Sequence, residues 1–229
     1  MITVEKALER SSNIGISKAV MRAFGNDAQA FLNQLDKMSY GQSDSIEGIE
    51  GLGRTIYSSP KDSNWVNLKM FWHAIGYERR IAPIQMLTFY NAIANEGKMV
   101  KPTQTTKAKP EIINSRIASA ENVKLMQEAL EHVVSRGAGR KAGMPLLRVA
   151  GKTTATEVKM YWGNGEDPLS EYQVGFCGYF PADKPRYSII VSMNKLGLPA
   201  SGGLVAGPVF YDIMTKSLSG GRGDLSVPM

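Results

Sequence analysis

Lys152, Thr153 and Thr154 follow Gly151 in the stretch RVAGKTTATEVKMYW, Arg148–Trp162, and their types and spacing could do chemistry. A Gly-Lys-Thr run cradles a phosphate only when another glycine stands five residues before the first, because the loop's amides must wrap the anion. Leu146 stands there, and the run continues as a strand where a phosphate loop would open a helix. Acyl transfer fits better. On a strand, Lys152 and Thr154 take one face and Thr153 the other. An edge strand offers free backbone groups to an extended peptide, and a lysine beside it can hold a carboxylate. A second hydroxyl-plus-amide pair, Ser11 and Asn13, stands at a helix junction where both side chains can face a cleft.

Taken one at a time, these residues have plainer readings. Ser11 alone would be the cap of a helix starting near Asn13. Lys152 and the threonines alone would be a solvent-facing strand edge. Cys177, the single cysteine, sits in QVGFCGYF as a small apolar core residue with no neighbouring histidine to activate it. His73 and His132 have no ligand-like neighbours at metal spacing, so neither a metal nor a cofactor is expected.

The elements that must position these groups follow from periodicity. TVEKALER, Ile14–Phe24 and Asp27–Met38 read as helices, the second stopped by Gly25. Ser39–Asn67, rich in Gly, Ser and Asp, reads as a long loop. APIQMLTFYNAIANEG is a helix with Pro83 in its first turn and Gly97 beyond its last, its methionines filling core. SAENVKLMQEALEHVVSRG is another, capped by Ser119 and stopped by Gly137. Leu147–Glu157, Tyr172–Phe180 and Arg186–Asn194 read as strands, with Gly163–Ser170 a loop and PADKP a hairpin turn. A helix over Gly203–Leu218 closes the order, starting or bending at Pro208. Trp65, Trp72 and Trp162 are expected to wedge loops onto the body, Trp162 also walling the cleft. Helices first, then a short antiparallel sheet and a covering helix, is an α+β or mixed α/β texture.

Four segments, in order, resemble the transpeptidase domain of class B penicillin-binding proteins of the cell-division and elongation type. They are RSSNIG, RIAPIQMLTFYNAIANEGKMVKP, GKTTAT and VGFCGYFPADKPRYSIIVSMN. The resemblance implies the penicillin-binding/β-lactamase-like fold, with residues 1–218 a partial domain: 1–143 mostly helical, 144–218 the sheet and its closing helix, 219–229 a flexible tail. It also implies a serine D,D-transpeptidase acting on peptidoglycan stem peptides ending in D-Ala-D-Ala, and acylation by β-lactams. Ser11, Ser12 and Asn13 match the family's serine–x–asparagine motif, and Lys152 and Thr153 open its lysine–threonine–glycine motif. Ser11 would then relay protons to the leaving group with help from Lys152. Asn13 would hold the substrate amide carbonyl, and Thr153 the terminal carboxylate. Ala155 would offer an oxyanion-hole N–H, and Thr154 and Thr156 on the same strand would bind the substrate with it.

Two departures go with the resemblance. Thr154 stands where the family has a glycine, and a β-branched side chain there would narrow the cleft. The serine–x–x–lysine nucleophile lies upstream of serine–x–asparagine in the family, and Ser11 leaves no room for it. Ser58-Ser59-Pro60-Lys61 matches downstream, but Pro60 spoils the helical turn that would bring serine and lysine together. These 229 residues alone are therefore expected to be inactive. A sheet edge and an apolar groove left bare would favour self-association. Partners would be cell-wall synthesis or division proteins, met by a parent anchored in the inner membrane with this domain on the periplasmic side. The remaining readings are a non-catalytic scaffold or peptide-binding module and a serine β-lactamase.

Composition sets outer limits. A chain of 229 residues with 43% hydrophobic and 21% charged residues can bury a large core. The net charge of +6 is spread along the chain without aromatic interleaving, which argues against a nucleic-acid groove. No apolar run is long enough to span a bilayer, and MITVEKALERSSN lacks the flank and core of a secretory signal.

Overall fold

The computed structural model describes residues 2–42, 54–160, 169–195, 197 and 199–220. Its helices are α1 (Val4–Glu9), α2 (Asn13–Phe24), α3 (Ala28–Lys37), α4 (Leu68–Ala74), α5 (Pro83–Ala94), α6 (Ala120–Ser135) and α7 (Gly202–Gly220). Short strands β1 (Ile56–Tyr57) and β2 (Arg79–Arg80) pair, as do β3 (Met99–Val100) and β4 (Ile112–Asn114). The main sheet holds β5 (Ala150–Met160), β6 (Leu169–Phe180) and β7 (Tyr187–Lys195).

Local chemistry places the helix starts. The hydroxyls of Thr3, Ser12 and Ser119 and the carboxylate of Asp27 accept from amides three residues on, satisfying donors that have no partner inside the helix. Pro83 opens α5 without wasting an N–H, and the Ala82 amide donates to Gln85 Oε1 at 2.7 Å. That helix ends at Ala94, two residues short of the expected Glu96; Gly97, at φ 88°, lets the chain turn into β3.

The sheet runs β5-β6-β7, antiparallel throughout, with Lys152 opposite Cys177 and Thr154 opposite Gly175. Strict alternation along β6 divides the core. Val174, Phe176 and Phe180 take one face; Phe176 and Phe180 there pack with Phe210, Ala206 and Met214 of α7. Tyr179 on the other face packs with Ala92 and Ile93 of α5 and Leu130 of α6. Helices thus cover both faces, and each fully buried aromatic contributes roughly 2–3 kcal/mol of apolar transfer. The mixed helix-and-sheet class expected from the sequence is the one observed.

The differences are local. The first main strand runs Ala150–Met160, starting and ending three residues later than the expected Leu147–Glu157, and Arg148 before it makes a two-pronged pair with Glu131 at 2.7 and 2.6 Å. Ser39–Asn67 is not wholly a loop: β1 lies in it, and α4 follows it, burying Met70 and His73. Helix α7 starts at Gly202 and runs through Pro208, so the proline neither begins nor ends it. It reaches Gly220, two residues into the stretch expected to be tail; the rest of the tail, residues 221–229, lies outside the described residues. So do Trp162 and residues 163–168 of the expected Gly163–Ser170 loop, while Leu169 and Ser170 belong to β6, which starts before the expected Tyr172. The PADKP hairpin is present, closed by the Arg186 amide donating to Phe180 O at 3.1 Å.

Candidate active site

The α1–α2 corner carries Ser11. Ser11 N–H donates to Leu8 O at 3.0 Å and Ser12 N–H to Ala7 O at 2.8 Å, a tight reversal that leaves Ser11 at φ 53°. The capping role read for Ser11 belongs to Ser12, whose Oγ accepts from the Gly15 amide at 3.2 Å. That division leaves the Ser11 hydroxyl free of the helix. Asn13, exposed, is the first residue of α2.

Lys152 crosses from the sheet to this corner. Its Nζ donates to Ser11 Oγ at 2.8 Å, to Thr153 O at 2.9 Å and to Thr153 Oγ1 at 3.3 Å. Alternation alone puts Lys152 and Thr153 on opposite faces, but the long lysine stem curls round the strand and their polar ends meet. Thr153 itself is buried. Burial disfavours the ammonium and pushes its pKa from 10.5 down to about 8. A lysine so tuned can give and take a proton near neutrality.

Thr154 and Ala155 are exposed and Thr156 half-buried along the rest of β5, which is an edge strand in the three-stranded sheet. Thr154 Oγ1 occupies the space a side chain at Gly175 would need: a Cβ there would lie 2.8 Å from it. The glycine expected at 154 is thus matched by a glycine across the ladder, which makes room for the threonine. The structure brings Ser11, Lys152 and Thr153 into direct contact. Asn13, Thr154, Ala155 and Thr156 lie beside them by chain continuity.

One neighbour escaped the sequence reading. Tyr77 Oη accepts from the Glu157 amide at 3.4 Å, which sets an aromatic at the far end of the same strand. Tyr77 also packs edge-on against Trp72, with ring centres 5.4 Å apart. It borders an open cavity of about 830 Å³ shared with Tyr57, Ser58 and Lys61. Only the preceding Gly76 marked Tyr77 in sequence, as a turn at φ 91°.

Ser58 donates to Glu78 Oε2 at 2.5 Å, away from any helical pairing with Lys61. A second serine–x–x–lysine match, Ser192–Lys195, falls inside β7, and so is not on a helical turn. Cys177 is buried, which pushes its thiol pKa up and keeps it inert. Trp65 stacks on His73 at 6.0 Å, and His73 Nε2 bonds Ser58 O at 2.8 Å. His132 does have carboxylates beside it: the ligand atoms of Glu5, Glu9 and His132 lie within 4.8 Å of one another. Sequence spacing could not reveal this, since α1 supplies both acids, Glu5 from 127 residues away. Arg136 donates to Glu5 at 2.8 Å and to Glu9 at 2.9 Å, and Lys6 pairs with Glu9, so an ion-pair network already uses these carboxylates.

The penicillin-binding protein transpeptidase domain family matches residues 1–215. Peptidoglycan D,D-transpeptidase FtsI of Escherichia coli K12 is 27% identical over 219 residues, 93% of this chain and 35% of that protein. Stage V sporulation protein D of Bacillus subtilis is 34% identical over 158 residues, 63% of this chain and 24% of that protein. The chain therefore spans about a third or less of these relatives. The transpeptidase domain of Burkholderia pseudomallei penicillin-binding protein 3 superimposes with a TM-score of 0.77 at 27% identity, over 99% of this chain and 67% of that one. Penicillin-binding protein 3 of Mycobacterium tuberculosis, solved with aztreonam, gives 0.77 at 25% identity over 99% and 53%.

Proposed function

Because the chain belongs to the penicillin-binding protein transpeptidase family, we propose that it forms the C-terminal part of a serine D,D-transpeptidase cross-linking peptidoglycan stem peptides. The observation that carries this is the 2.8 Å bond from Lys152 Nζ to Ser11 Oγ, which joins two short motifs 141 residues apart; we take the space along these two walls to be the substrate crevice.

The attacking serine comes from residues outside these 229. Its hydroxyl passes its proton to a base that accompanies it outside these residues, its oxygen adds to the carbonyl of the penultimate D-alanine, and the bond to the terminal D-alanine nitrogen breaks. Ser11 donates the proton that this leaving amine needs and is resupplied by Lys152, whose ammonium burial has made more acidic. The Thr153 hydroxyl and Lys152 hold the terminal carboxylate, while Asn13 holds an amide carbonyl of the stem peptide. The free edge of β5, Thr154–Thr156, pairs with the extended peptide, and the Ala155 N–H points to the developing oxyanion. An acceptor amine then attacks the acyl-enzyme, releasing the serine. β-Lactams enter as mimics of the D-Ala-D-Ala end.

The parent is read as anchored in the inner membrane with this domain on the periplasmic side, among cell-wall synthesis or division proteins. Among the described residues no helix is long and apolar enough to cross a membrane. Incubating the longer protein with a fluorescent penicillin tests the proposal: a covalent band supports it, and no band in folded protein refutes it. The 229 residues alone should give none.

Thr154, in the place of the family's glycine, favours a second reading as a non-catalytic, peptide-binding module. A degenerate serine–x–x–lysine motif in the longer protein would support it. Rapid nitrocefin turnover would instead indicate a serine β-lactamase.

A further inference from the structure

Three backbone contacts link the two walls of the crevice. Ala138, in the turn after α6, donates its N–H to the carbonyl of Glu9 at 2.9 Å, two residues before Ser11. On the other side, a Cβ at Gly203 would lie 2.3 Å from Ala138 O. Its neighbour Gly202 abuts the lysine strand, where a Cβ would lie 2.4 Å from Thr154 O and 2.2 Å from Gly175 O. Gly137 tightens the first contact, since a Cβ there would lie 2.6 Å from Glu9 O. The buried Glu9 carboxylate is tied back to the same turn by Arg136 Nε at 2.9 Å.

We infer that the Gly137–Ala138 turn and the Gly202–Gly203 start of α7 are positioning residues, a spacer that sets the width of the crevice between Ser11 and Lys152. A glycine needed only for packing meets side chains, which can swing aside. These meet carbonyl oxygens, which cannot yield without moving the corner or the strand they belong to. Gly207, one turn along α7, shows the contrast: a Cβ there would meet Ala142 N at 3.4 Å, an ordinary approach. The inference rests on reading the crevice as the substrate site.

Lys152 reports the width in this chain without any nucleophile. Competitive acetylation followed by mass spectrometry, run across pH, gives its titration midpoint, which should be about 8 in the unsubstituted chain. Gly203→Ala and Gly137→Ala should widen the crevice, release Lys152 from burial and raise the midpoint by about one unit or more. Glu9→Gln preserves size and serves if the alanine variants do not fold. It should also raise the midpoint by loosening the corner, whereas simple loss of a nearby negative charge would lower it. Gly207→Ala should leave it unchanged. Folded variants of Gly203, Gly137 or Glu9 with an unmoved or lowered midpoint overturn the spacer, as does an equal rise in Gly207→Ala. Acetylation involves no β-lactam, so failure of the transpeptidase reading and failure of the spacer are separate results.

Discussion

Helix α6 buries Val123, Ala129, Leu130, Val133 and Val134, whereas α2, likewise serine-capped and carrying Ile14, Ile16, Val20 and Phe24, buries none of its residues. An apolar stripe yields stability only against a surface that receives it. Helix α6 has the sheet and α1 to receive it; α2 meets α1, α3 and α4, and Ile14 stays 71% exposed. The two walls of the crevice inherit this difference. Lys152 stands on a sheet covered on both faces, while Ser11 hangs on a helical corner held by the Glu9–Arg136 pair and the Ala138 amide.

The largest test of that contrast is Phe176→Ala, which empties the sheet's main core position and should cost about 3–5 kcal/mol in urea unfolding. Comparable loss from any single α2 substitution would break the comparison. Next comes Lys152. The folded pKa of about 8 lies below the ordinary 10.5, so the unfolded chain binds more protons in between. Stability should therefore rise as pH climbs from about 8 to about 10.5, by up to roughly 3 kcal/mol, and Lys152→Met should lack that rise. Urea midpoints across that range decide it.

A smaller effect is expected at the acid end. Lys6 and then Arg136 hold the Glu9 carboxyl below its ordinary 4.5 against the opposing effect of burial, so its contribution is present above that value and lost as pH falls below it. The protection factor of the Ala138 amide, the intrinsic exchange rate divided by the observed one at each pH, should fall on acidification, and Glu9→Gln should remove that fall. Smallest of all, Ile14→Ser should change stability by less than about 0.5 kcal/mol, checked by the same urea titration.

Much of this was legible in the sequence where the signal was local. Ser119 and Pro83 marked helix starts, and the unbroken apolar run VGFCGYF marked a strand, which the structure buries on both faces. The edge position of the Lys152 strand was also readable. What stayed hidden depended on distant partners. Ser11 and Ser12 are interchangeable as caps until the turn geometry assigns the role to one of them. His132 gains its acids only when α1 docks on α6. Thr154 looks like an obstruction until Gly175 is found opposite it. Helix α4 was missed because seven residues carry too few turns to show a period.

The positive φ of Ser11 has a consequence for evolution in the laboratory. A side chain in that left-handed region costs roughly 1 kcal/mol that glycine would avoid. Selection for heat resistance alone would therefore drift toward Ser11→Gly, producing a sturdier protein whose lysine has lost its companion hydroxyl.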